Sequence, residues 1–155
     1  MIEIERKFLV TSDAFKEEAF KVTQIVQGFL NKDPERTVRI RIKGEQGFLT
    51  VKGISNDSGT SRFEWEKEIT VEEATSLLKL CEEGVISKNR YEVKKGNYVF
   101  EVDEFFEENE GLLLAEVELE NENETYVTPE WIGKEVTGIK KYYNSQLSIK
   151  PYNKW

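Results

Sequence analysis

The sequence predicts an α+β fold: an eight-stranded antiparallel β-barrel, or tunnel, with flanking α-helices. Three observations predict it. Eight segments read as strands, most with period-two alternation, and the helical stretches between them are few and short. Charged residues gather on one face of most of those strands. The opposite faces are apolar and need covering, and closing the sheet removes its exposed edges.

The first strand holds Ile2, Ile4 and Phe8 against Glu3, Glu5 and Lys7. Thr11-Ser12-Asp13 then caps a short helix expected over Ala14–Lys21. Val22–Leu30 reads as a strand and Asn31-Lys32-Asp33-Pro34 as a turn. Thr37–Lys43 alternates strictly, with Val38, Ile40 and Ile42 opposite Arg39 and Arg41. A Gly44–Gly47 turn returns the chain as a strand over Phe48–Gly53. Ser55–Ser61 is loop-like, and Arg62–Ile69 is the next strand, carrying Glu64, Glu66 and Glu68 on one face.

Thr70 and Glu73 form a capping-box pattern at the start of a helix over Val71–Glu82, whose apolar stripe is Ala74, Leu77, Leu78 and Cys81. Strands follow at Val85–Lys94, Tyr98–Phe105 and Leu112–Glu120. Two short helices are expected in the tail, from about Pro129 and about Lys140. No repeat or linker divides the chain, so residues 1–155 read as one domain.

Composition excludes several classes of chemistry. The chain has no histidine, which removes Ser-His-Asp and Cys-His catalysis and every histidine metal site. Its single cysteine, Cys81, cannot form an internal disulfide and reads as a packing thiol. A net charge of −8 argues against a nucleic-acid duplex as partner. It does not exclude a small anion held by a local cationic patch. No apolar run approaches a membrane span and the N-terminus has no signal-peptide core, so a cytoplasmic protein without a membrane partner is expected. A homodimer is compatible with the sequence, which identifies no interface for one.

Charges alternating with apolar residues usually mark the wet side of a half-buried sheet. Here the helices need an apolar sheet face, and Val38/Ile40/Ile42 and Leu113/Ala115/Val117/Leu119 supply it. With those faces outward, the charged faces line a polar channel. That channel would hold Lys7, Arg39, Arg41, Lys52, Lys88 and Arg90 against Glu3, Glu5, Glu66, Asp103, Glu116 and Glu118. Such cations suit a polyanion, the arginine forks gripping phosphate oxygens in pairs. Paired carboxylates suit Mg²⁺ or Mn²⁺, hard ions that prefer oxygen. Phosphates held, charge neutralised and a nucleophile oriented is the recipe for phosphoryl transfer.

The ordered motifs resemble one family. Glu3-x-Glu5-x-Lys7 is followed by Gln27-Gly28-Phe29-Leu30, Val38-Arg39-Ile40-Arg41, Thr50-Val51-Lys52-Gly53 and Phe63-Glu64-Trp65-Glu66. Then come Lys88-Asn89-Arg90-Tyr91, Val102-Asp103-Glu104-Phe105, Ala115-Glu116-Val117-Glu118 and, near the end, Tyr142-Tyr143-Asn144. Together these resemble short bacterial members of the CYTH superfamily, the triphosphate tunnel metalloenzymes. The resemblance implies a metal-dependent site for a small-molecule triphosphate. Lys7, Arg39, Arg41, Lys52, Lys88 and Arg90 would bind phosphates. Glu3, Glu5, Glu116, Glu118 and Asp103 are the metal candidates. Glu66 would orient cations, a second metal or water. With no histidine the proton acceptor is a glutamate, metal-bound water or a lysine, and Lys88 is the candidate, since a lysine crowded by cations has a lowered pKa. Phe29 stands where similar chains often carry tyrosine, so no phenol hydroxyl is available there.

Inorganic tripolyphosphate is the substrate this resemblance favours. Thiamine triphosphate, and cyclisation of ATP by a class IV-type adenylate cyclase, are the alternatives within the fold. A non-catalytic polyphosphate or nucleotide binder is the alternative outside it. Retention of both carboxylate pairs favours catalysis, because anion binding alone gains little from them.

Overall fold

A computed structural model describes residues Met1–Trp155. Nine strands form in chain order: β1 (Ile2–Val10), β2 (Lys21–Asn31), β3 (Arg36–Lys43), β4 (Gln46–Ser55), β5 (Ser61–Ile69), β6 (Ile86–Lys95), β7 (Tyr98–Phe105), β8 (Leu113–Glu118) and β9 (Ile132–Glu135). Helices α1 (Phe15–Glu18), α2 (Val71–Leu78) and α3 (Asn144–Leu147) are short. The strand order β5-β4-β3-β2-β6-β7-β8-β1 closes on itself through β1–β5, giving the expected eight-stranded antiparallel barrel, with β9 outside the ring.

Closure leaves a seam. One edge of β1 pairs with β8 over Glu5–Leu9. The other edge takes β5 over Ile2–Ile4 and then β9 over Phe8–Val10. Between them the Glu5 N–H donates to Thr60 O and the Lys7 N–H to Thr137 Oγ1. The two incoming chains meet at Gly59 and Gly138, both with φ of +77°, where a Cβ on Gly59 would lie 2.3 Å from Gly138 Cα. Only glycine fits so close a backbone approach at that φ.

The apolar residues divide between the two sides of the wall. One cluster lies on the outer faces of β1, β6, β7 and β8, where Phe8, Val93, Phe100, Val102, Ala115, Val117 and Leu119 pack under Phe15 of α1 and Trp131. Full burial of each of its phenylalanines contributes roughly 2 kcal/mol. The second cluster holds Phe29, Ile86, Phe105, Leu112 and Leu114 with Val136, Tyr142 and Leu147. Its strand residues continue the faces that carry Gln27, Lys88, Asp103 and Glu116, so the C-terminal segment stoppers one end of the barrel with apolar side chains.

Several helix expectations are corrected. The stretch after Pro129 is not helical: Ile132–Glu135 becomes β9, because the β1 edge beyond β5 offers unpaired backbone groups that a strand satisfies. The first helix stops at Glu18, since the Phe20 N–H donates to Glu92 O and Lys21 already pairs with Glu92 in β2–β6. Helix α2 carries the predicted Thr70–Glu73 capping box but ends at Leu78; the Glu82 N–H donates to Phe29 O instead. The helix expected from Lys140 is a 3₁₀ turn over Lys140–Tyr142 followed by α3. No helix is long and apolar enough to cross a membrane.

Candidate active site

The barrel encloses a cavity of about 230 Å³ lined by 26 residues, of which only two are hydrophobic. Period-two alternation puts this polar set inside, because the outer faces of the same strands are committed to packing. The expected cations Lys7, Arg39, Arg41, Lys52, Lys88 and Arg90 all line it, as do Glu3, Glu5, Glu66, Glu116 and Glu118.

Each cation except one has a carboxylate partner. Lys7 Nζ lies 3.7 Å from Glu116 and donates to Tyr142 O at 3.2 Å. Arg39 donates to Thr50 Oγ1 at 3.1 Å and lies 3.4 Å from Glu66, while its buried Nε has no acceptor. Lys52 bridges Glu3 at 2.9 Å and Glu64 at 3.3 Å. Arg90 grips Asp103 with two hydrogen bonds of 2.8 and 2.9 Å. Lys88, 1% exposed, lies 2.8 Å from the same carboxylate. Arg41 is the exception: its only protein acceptor is Gln27 Oε1, at 2.8 Å. Burial, with Arg39 and Arg90 nearby, holds its pKa well below the usual guanidinium range.

Burial also lowers Lys88, with Arg90 and Arg41 adding to it; Asp103 opposes the shift, and the pKa falls to about 7. The carboxylates are split by the same forces. Burial, then Glu116 and Glu3, push Glu5 well above the usual carboxylate range. Burial works against the charge on Glu116 too, but Lys7, a hydrogen bond from Glu5, Arg90 and Lys88 hold it well below that range. The two neighbouring carboxylates are thus driven apart in proton affinity, as excess negative charge does to close acidic groups. Burial and then Glu3 and Glu101 raise Glu118, which pairs with Glu5 in the β1–β8 register.

Asp103 departs from its expected place among metal ligands. It is 2% exposed, does not line the cavity, and spends both oxygens on Arg90 and Lys88. Its geometry is that of a counter-ion that sets two cations in place. No three of the remaining carboxylates converge as a ready-made metal group. That suits a small hard cation, which is commonly held by one or two protein carboxylates with phosphate oxygens and waters completing its shell.

The structure adds residues that sequence reasoning passed over. Arg62 and Glu64 line the cavity on the face of β5 already assigned to Glu66, and alternation alone could have included them. Thr50, wholly buried, donates to Glu66 Oε2 at 2.7 Å and receives Arg39. Tyr143 lies beneath Lys7 and Arg62, at 5.5 and 5.9 Å from ring to cation. Gln27 and Asn144 join the cations to one another. Phe29 lines the cavity but belongs to the apolar stopper.

Comparison with known proteins agrees with this architecture. The profile of the CYTH domain matches residues 1–148. An inorganic triphosphatase of Acetivibrio thermocellus is 48% identical over 151 residues, covering 97% of this chain and 95% of the relative. An inorganic triphosphatase of Nitrosomonas europaea is 34% identical over 153 residues, covering 96% and 98%. A solved structure of an inorganic triphosphatase superposes with a TM-score of 0.67 at 31% identity, covering 95% of this chain and 94% of that one.

Proposed function

The chain belongs to the CYTH domain family, and from that premise we propose that it is a metal-dependent inorganic triphosphatase, cleaving the terminal phosphoanhydride of tripolyphosphate in the cytoplasm. The observation that carries this reading is the buried Arg41, a cation without a carboxylate in a cavity where every other expected cation has one. A buried charge is costly until a counter-ion arrives, so the wall awaits an anion. The nearly complete absence of apolar lining favours an inorganic substrate over a nucleotide or thiamine ester, whose organic part would need an apolar pocket. The names of the relatives point the same way.

In this mechanism Arg39, Arg41 and Arg90, with Lys7, Lys52 and Lys88, hold the phosphate oxygens and take up charge that develops on cleavage. One or two of Glu3, Glu5, Glu116 and Glu118 would hold Mg²⁺ or Mn²⁺; the bound ion would neutralise phosphate charge and polarise the phosphoryl group. Lys88, near pKa 7, is the group best suited to take a proton from the attacking water. Glu66, fixed by the Thr50 hydroxyl, keeps Arg39 aligned.

The test is to supply tripolyphosphate, ATP and thiamine triphosphate, each with Mg²⁺ or Mn²⁺, and to measure phosphate and cyclic AMP. Phosphate released fastest from tripolyphosphate is the expected result. No phosphate from any substrate with either metal would sink the hydrolase reading, and cyclic AMP as the main product would replace it with a cyclase.

A further inference from the structure

Two neutral amides run through the cationic wall. Arg41 Nε donates to Gln27 Oε1 at 2.8 Å. Gln27 Nε2 donates to Asn144 Oδ1 at 2.7 Å. Lys88 Nζ donates to the same Asn144 oxygen at 2.9 Å. Gln27 is wholly buried, and Asn144 opens α3 in the C-terminal segment, 117 residues further along the chain.

The orientation of both amides follows from the ends of this chain. Guanidinium and ammonium groups can only donate. Arg41 therefore requires the oxygen of Gln27 to face it, which turns the Gln27 NH₂ toward Asn144. That NH₂ and Lys88 both require the oxygen of Asn144. The Asn144 Nδ2 group is left on the far side of its amide. It donates to no protein acceptor, yet it is not among the buried polar atoms that lack a partner, and Asn144 lines the cavity. Its N–H donors are therefore free and accessible, on a residue that lines the cavity. A neutral link also suits the place, because a carboxylate there would cancel positive charge that a polyanion needs.

We propose that Asn144 is a substrate-contacting residue: its Nδ2–H₂ donates to an oxygen of the bound triphosphate, and Gln27 is the positioning residue that fixes this orientation. The inference rests on the triphosphatase reading. It makes the C-terminal segment, and not the barrel alone, a source of ligand contacts. The reacting phosphate then sits between an amide and a lysine that one oxygen ties together.

Tripolyphosphate binding is measured by titration calorimetry in EDTA, which prevents turnover, for the wild type, Asn144→Ala and Asn144→Asp. The aspartate keeps the oxygen that Lys88 and Gln27 need, but loses the N–H donors and places negative charge toward the anion. Both variants should bind at least about 10-fold more weakly, the loss of one hydrogen bond to a charged group, with Asn144→Asp the weaker of the two. Because the carboxylate weakens anion binding by its charge alone, Asn144→Ala isolates the contact, and wild-type affinity in a folded Asn144→Ala protein overturns the proposal. Gln27→Leu, which frees the amide to turn, should weaken binding less than either. Wild-type affinity in Asn144→Asp overturns the proposal, and this variant stays informative even where Asn144→Ala fails to fold. A wild type that neither binds nor cleaves tripolyphosphate would instead overturn the triphosphatase reading on which the proposal rests.

Discussion

Replacing Arg41 with methionine should make the empty protein more stable and the liganded protein less so. Arg41 is 8% exposed and has one neutral acceptor. Keeping an ion there without a counter-ion costs several kcal/mol, and removing it strands the Gln27 oxygen at a cost of about 1–3 kcal/mol. Methionine is apolar and of comparable length, so the net gain is about 2 kcal/mol, or roughly 4–8 °C in Tm for a chain of this size. With tripolyphosphate the sign inverts. The two terminal nitrogens of Arg41 have no protein partner, and two charge-assisted hydrogen bonds to phosphate are worth about 3–6 kcal/mol, or about 10²–10⁴-fold in affinity. Thermal denaturation in EDTA, with and without millimolar tripolyphosphate, reads both effects. The variant should melt above the wild type alone and below it with ligand. A variant that melts lower without ligand, or an equal ligand shift in both proteins, would refute the claim that Arg41 is held in reserve for an anion.

Three further predictions follow from the same geometry. Glu116→Gln should abolish most metal-dependent phosphate release while leaving the fold intact by circular dichroism; full activity would remove Glu116 from the ligand set. If Lys88 is the base, kcat/KM should rise as pH passes through about 7, and Lys88→Met should lose that limb. Its pKa is depressed on folding, so below about 7 both states carry the proton and the burial cost is present in full. Stability then increases between about 7 and 10.5 as the folded state alone releases it, and the methionine variant should show a flatter slope over that window in denaturant titrations. Gly59→Ala should destabilise by more than about 2 kcal/mol through strain at positive φ and collision with Gly138, measured as a lowered urea midpoint; an unchanged midpoint would mean the seam can open freely.

The wall of the barrel was legible in the sequence because alternation is a local signal: Arg39 and Arg41 announce a shared face whatever lies across from them. The outward packing of Ala115, Val117 and Leu119 was legible for the same reason. The stopper was not. Phe105, Leu112 and Leu114 sit on the inner face, and their periodicity matches that of Asp103 and Glu116; only the arrival of Tyr142 and Leu147 from the C-terminus explains why that end of the interior is apolar. Likewise β9 exists because of a free edge on β1 more than 120 residues away in the chain, and its own four residues carry little strand character. Gln27 and Asn144 are neutral, so a search for charge passed over them.

Which cations engage the substrate depends on how firmly each is already held. Arg90, Lys88 and Asp103 form a tight trio, at 2.8–2.9 Å with almost no exposure. Pulling Arg90 away would strand a buried carboxylate, at a cost of about 3–5 kcal/mol. These two cations therefore present phosphate only with the donors that Asp103 leaves free, and act as a fixed floor. Lys7 and Arg39 have looser partners, 3.7 Å from the buried Glu116 and 3.4 Å from Glu66, which reaches solvent. Arg39 can turn toward a ligand at little cost, since an ion pair with a solvent-reaching carboxylate is worth less than about 1 kcal/mol, and Lys7 breaks no carboxylate hydrogen bond when it turns. Arg41 has no competing anion at all. The order of readiness is then Arg41, followed by Arg39 and Lys7, with Arg90 last. Alanine substitutions at these positions should weaken tripolyphosphate binding in that order. Thermal stability without ligand should fall in the opposite order, because the most available cation is the one that contributes least to the fold.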